Sequence, residues 1–236
     1  MKQYLFKIIF LSLIVPICLA APFQMGKDDL CFLNKDPELA RFGFLGKLGA
    51  KDGVCQGIAG LSKIYFENVE FRPNEPMDLD VDQKIIEALK TYRQKKVVKI
   101  LIRGYDGLNT LCKEHRDVFL QQSIDLNLQI AVKDISLVYA EFNSTKDTPI
   151  STPKQQSDMH KTIQKQIQIL KSGHSPMILV YSHVMLVLDI HYSLNEYIYT
   201  YYDSNYLVFR TRSYKYGADG LPLLGQKMLW DITLQP

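Results

Sequence analysis

Cys55, His183 and Asp203 are the side chains whose types and surroundings can make a thiol nucleophile with its own base. Cys55 stands in "GVCQGIAGLSKIYF" (53–66), where loop glycine gives way to a run of helix formers. A cysteine in the first turn of a helix meets the positive end of the macrodipole and backbone N–H groups that have no intrahelical partner. Both features favour a thiolate over a thiol. The same N–H groups can hold an oxyanion if a carbonyl carbon is attacked there. Gly57 and Gly60 each cost such a helix about 1 kcal/mol relative to alanine. Two uses would offset that cost: close packing of the helix on another element, or room for a base beside Cys55.

The base and its orienting acid are read from "SHVMLVLDIHYSLNEYIYTYYDSNY" (182–206), two strand-like runs joined around "YSLNE". Centring the hairpin on Leu194 sets His183 opposite Asn205 and Met185 opposite Asp203. His183 and Asp203 then share one face as diagonal neighbours, with Cα atoms about 7–8 Å apart, close enough for imidazole and carboxylate to meet. A register slipped by one residue would put them on opposite faces. A carboxylate on one ring nitrogen fixes the tautomer and leaves the other nitrogen to take a proton from a thiol. Nucleophile, base and orienting acid together make an activated thiol.

These residues need a helix to carry the cysteine and a sheet to carry the other two, and the chain reads in that order. The segment 21–50 is rich in loop signals, with Pro22, Pro37 and several glycines, and is expected to wrap the surface before the first buried helix. That helix is expected from Cys55 to about Asn68, a second from Val81 to Arg103 and a third from Glu114 to Phe142, the last bending or dividing around "DLNLQ". "NSTKDTPISTP" (143–153) is a linker by composition and includes a formal glycosylation sequon at Asn143. A polar helix follows at about 154–171. Then "MILVYS", "HVMLVLDIHY", "YIYTYYDS" and "YLVFRTRSY" alternate as consecutive antiparallel strands, with one more strand around 228–234. Helices first and strands last predict an α+β fold. The tyrosines at 197, 199, 201 and 202 are expected to pack within the sheet.

Composition narrows the classes of function. The first 20 residues, "MKQYLFKIIFLSLIVPICLA", place Lys2 and Lys7 before an apolar run and end on small residues, which is the pattern of a secretory signal peptide cleaved after Ala20. Ile8 to Ala21 is shorter than the roughly 20 residues a membrane span requires, so no stable span is expected after cleavage. Cleavage removes two lysines from 28 basic residues and leaves 26 against 25 acidic ones. That balance points to no nucleic-acid partner. Of the four cysteines, Cys18 would leave with the leader, so Cys31, Cys55 and Cys112 remain for an oxidising compartment. If Cys55 must stay reduced for chemistry, the remaining bridge is Cys31–Cys112; three free thiols are the alternative. No zinc-type spacing occurs around Cys112, Glu114 and His115, and His183 and His191 would lie roughly 26 Å apart on an extended strand. Phosphate-loop and dinucleotide fingerprints are absent.

"GVCQG" opening a helix, "SHVMLV" on a strand and "YYDSNY" at the end of the next resemble the papain-like cysteine peptidases, and most closely the bacterial YopT-like effector peptidases. The acid motif of that family is an aromatic pair, Asp, a small residue or Pro, Asn, and an aromatic or Gly, which "YYDSNY" fits with Ser204 where proline is frequent. The resemblance implies Cys55 as nucleophile, His183 as general base and acid, and Asp203 as orienting carboxylate. It also implies a single domain over 51–236, a helical lobe (51–171) packed on an antiparallel β lobe (175–236). The activity implied is that of a secreted cysteine hydrolase acting on a protein or peptide, with no metal or organic cofactor. The alternatives are a secreted binding or effector module without turnover, or deamidation or acyl transfer by the same three residues. Members of the family take an oxyanion donor from Gln or Asn shortly before the nucleophile. Residues 46–52, "GKLGAKD", contain neither, Gln56 follows Cys55, and Asn34 could serve only if the N-terminal segment folds back.

Overall fold

The computed structural model describes residues 22–94, 99–133, 153–180, 183–215 and 230–232. The expected leader, the sequon at Asn143 with the rest of the linker up to 152, and the glycine-rich turns of 216–229 lie outside these residues. The chain is a mixed α+β protein. Its helices are α1 (Gly43–Asp52), α2 (Cys55–Asn68), α3 (Val81–Arg93), α4 (Leu108–Glu114), α5 (Arg116–Lys133) and α6 (Pro153–Lys171). Its strands are β1 (Val69–Arg72), β2 (Ile100–Arg103), β3 (Met177–Val180), β4 (His183–Ser193), β5 (Glu196–Asp203), β6 (Val208–Lys215) and β7 (Trp230–Ile232).

The helix expected to open at Cys55 does so, and it is the core of the helical half. Ile58, Leu61, Ile64 and Tyr65 recur at helical spacing and are buried. Gly57 meets α5 so closely that a Cβ there would stand 1.9 Å from the Ser123 carbonyl oxygen. Close helix packing, rather than room for a base, therefore accounts for this glycine.

Three expectations need correction. The second helix ends at Arg93, not Arg103, and "ILIR" (100–103) is a strand that pairs in parallel with β1, Val69 opposite Ile100. Its β-branched residues suit a pleated surface, and α3 supplies the crossover that a parallel pair requires. The third helix, expected from Glu114, is α5 from Arg116, and it runs unbroken through "DLNLQ"; α4, just before it, was not expected, and residues 134–142 lie outside the described residues. The segment 21–50 is not a surface wrap. It contains a 3-10 turn (Pro37–Arg41) capped by Asp36, then α1, and it sends Leu30, Phe32 and Leu39 into the core.

The β half is one five-stranded sheet in the order β6-β5-β4-β3-β7. Alternation along β4 separates two clusters: Val184 and Leu186 pack with the residues of α2 and α5, while Met185 and Val187 pack with Met159 and Ile163 of α6. Tyr199, Tyr201 and Tyr202 are buried in these clusters, as expected of strand-packing tyrosines. Cys31 and Cys112 form a disulfide, their Cα atoms 5.7 Å apart, tying the N-terminal segment to α4. Among the described residues no helix is long and apolar enough to cross a membrane.

Candidate active site

The β4–β5 hairpin decides whether His183 meets Asp203. Its turn is Leu194-Asn195, both with positive φ (50° and 63°), the two-residue geometry that matches strand twist. This turn sets Ser193 opposite Glu196 and Asp189 opposite Thr200, one residue away from the register expected of a turn centred on Leu194. A bulge between Val187 and Asp189 inserts Leu188 as the extra residue and shifts the pairing back, so that Val187 faces Tyr201 and Leu186 faces Tyr202. Continued two residues further, that register sets Met185 opposite Asp203. The expected pairing is therefore wrong at the hairpin tip and right at the site, and the bulge is the reason.

His183 Nε2 lies 2.7 Å from Asp203 Oδ1. Both side chains are largely enclosed, 17% and 6% exposed respectively. The N-terminus of α2 abuts the start of β4: the Val184 N–H donates to Cys55 Sγ at 3.4 Å. With Nε2 engaged by Asp203, Nδ1 is the ring atom left to face the sulfur. Burial, the largest influence on His183, pulls its pKa down; the hydrogen bonds and charges of Asp203 and Cys55 outweigh it and push the ring up to about 9. Burial likewise works to raise Asp203, but the His183 hydrogen bond, the Asn205 N–H and the charges of His183 and Arg210 hold its carboxyl below the usual range. At neutral pH the pair is imidazolium and carboxylate. The sulfur thus lies beside a cation in a site largely closed to water.

The acid is braced from several sides. Asp203 Oδ1 also accepts the Asn205 N–H at 3.0 Å, an Asx turn that the "DSN" sequence could have signalled. On the other oxygen, Arg210 Nε lies 3.4 Å from Oδ2, and the guanidinium stacks on Tyr206 with its carbon 3.9 Å from the ring centroid. Arg210 escaped the sequence reading because strand pairing, not spacing, brings it there.

The N-terminal segment does fold back onto the site. Asn34 is buried, and its Oδ1 accepts the N–H of Val54, the residue before the nucleophile, at 2.5 Å. Its Nδ2 donates to Asn205 Oδ1 at 2.8 Å. Cys112 lies in the disulfide, which removes it from any metal-ligand set. His115 is engaged elsewhere, between Asp82 and the Tyr105 hydroxyl. His174 and His191 lie exposed beside Glu67 and Asp189.

No protein-family model, curated protein or solved structure matches the chain.

Proposed function

We propose that the chain is a secreted, papain-like cysteine hydrolase that cleaves peptide bonds through an acyl-enzyme. One observation carries the reading: His183, hydrogen-bonded to the buried Asp203 carboxylate, opens β4 where the first turn of α2 brings the Cys55 sulfur against that strand. The Cys31–Cys112 bridge fits export to an oxidising compartment.

In the first step the Cys55 thiolate attacks the carbonyl carbon, and the N–H of Cys55 at the helix start stabilises the oxyanion. His183 gives its Nδ1 proton to the leaving nitrogen, the C–N bond breaks, and a thioester remains on Cys55. Water then attacks the thioester while neutral His183 takes its proton, and the thiolate leaves as the acid product forms. Asp203 stays ionised throughout and keeps Nε2 protonated, so Nδ1 is the atom that cycles. Neither metal nor organic cofactor enters these steps. The same attack on a side-chain amide would be deamidation, and an amine in place of water would make acyl transfer.

Digestion of a denatured protein mixture or a peptide library, read by mass spectrometry with Cys55→Ala as control, tests the reading. New termini formed by the wild type and absent from the control are the expected result. Products carrying only the mass gain of deamidation would replace peptidase by deamidase, and no Cys55-dependent product of any kind would overturn the hydrolase.

A further inference from the structure

The geometry points to Asn34 as a positioning residue that fixes the nucleophile to the acid, an inference resting on the cysteine-hydrolase reading of this site. Cys55 and Asp203 stand on different elements, and besides His183 the backbone and side-chain amide of Asn34 link their loops. Val54 donates its N–H both to Asn34 Oδ1 and, at 3.1 Å, to the Asn34 carbonyl oxygen. On the opposite side the Asn34 N–H donates to the Ser204 carbonyl at 3.1 Å, while Nδ2 reaches Asn205 Oδ1. Asn205 in turn gives its own N–H to Asp203 Oδ1. The hydrogen bonds therefore run from Val54, beside Cys55, through Asn34, Asn205 and Asp203 to His183, whose neighbour Val184 donates to the Cys55 sulfur.

Several neighbours are arranged around this amide. Gly53 has φ +101°, and a Cβ there would stand 2.6–2.9 Å from the Asn34 amide atoms, so the chain leaves the space to Asn34. Three residues upstream, Cys31 is bridged to Cys112. Two residues downstream, Asp36 is held by Arg116, which also donates to the Cys31 carbonyl. The strap 31–36 is thus pinned on both sides of Asn34. The amide is suited to the task because it accepts at one atom and donates at the other, whereas a carboxylate would add a negative charge beside the sulfur.

The test is the rate of Cys55 alkylation by iodoacetamide across pH 5–9 in the folded chain, which needs no substrate. Asn34→Ala is expected to lower the rate at pH 6 roughly 10- to 100-fold, because small misplacements of paired reactive groups cost about that much. Its profile should move towards that of a simple thiol. Asn205→Ala removes the same link from the exposed side, where folding is less at stake, and should lower the rate several-fold. The double variant should be no worse than Asn34→Ala, since both cut one connection. Ile85→Val, a core change near the far end of α2, should lower the melting temperature without moving the profile. Wild-type profiles in folded Asn34→Ala, or in Asn205→Ala if Asn34→Ala does not fold, overturn this inference while leaving the hydrolase reading intact. A wild-type chain with no excess reactivity at pH 6 over the denatured chain overturns both.

Discussion

His183 owes its charge to its neighbours, and that charge makes the fold's stability depend on pH in a defined direction. Its folded pKa, about 9, lies above the ordinary 6.5, so the proton binds more tightly to the folded chain. The stabilisation from this is complete below about pH 6.5 and is lost as pH rises through about 9. Asp203 works in the opposite sense: held below 3.8, it stabilises above that value and loses its contribution as pH falls through its folded pKa. Melting temperature against pH should therefore fall on both sides of a plateau. His183→Gln should remove most of the alkaline fall attributable to this pair. An unchanged alkaline limb in that variant would contradict the charged state assigned to the ring. At this scale the three candidate site residues could be read from their types and neighbours, because a helix-start cysteine and a strand-end acid announce themselves locally. Arg210 and the connecting role of Asn34 could not, since each depends on a fold-back or a strand pairing that no local pattern encodes.

The β4–β5 hairpin shows how pairing within an element sets the site. Leu188 is the extra residue between the hairpin tip and the pairing which lets His183 meet Asp203. Deleting it should join Val187 to Asp189 with Val187 still opposite Tyr201, so the pairing at His183 is kept and only the bulge is lost. The expected outcome is a folded chain, judged by circular dichroism, in which the rapid alkylation of Cys55 is retained. Loss of that reactivity would show that the local bend of the bulge, beyond the pairing, is needed to place the imidazole. Most helices and strands of the sequence reading are present because long periodic runs such as α2, α6 and β4 carry strong signals. The misreadings fall where signals compete. Val97 and Leu101 happened to continue a helical spacing into a short β-branched strand, and the bulge within "VLDI" leaves no mark on the alternation.

The whole molecule is a helical half and a sheet sharing one core, with Val184, Leu186 and Tyr202 of the sheet packed into the cluster of α2 and α5. The disulfide spans 81 residues and pins the strap that crosses both parts of the site. By the chain-entropy account a loop of that length stabilises by about 4 kcal/mol, a large part of the roughly 5–15 kcal/mol of a typical domain. Cys31→Ser with Cys112→Ser should lower the denaturation free energy by about that amount in urea titrations, and a loss under about 1 kcal/mol would show the strap to be held without it. What the shared core achieves is to bring residues 55, 183 and 203 together across the boundary between the halves. The direct measurement of that claim is the pH dependence of Cys55 alkylation in the wild type beside His183→Ala. The account predicts fast alkylation persisting well below pH 8 in the wild type and its collapse to the behaviour of a simple thiol in the variant. Identical profiles for the two proteins would contradict it.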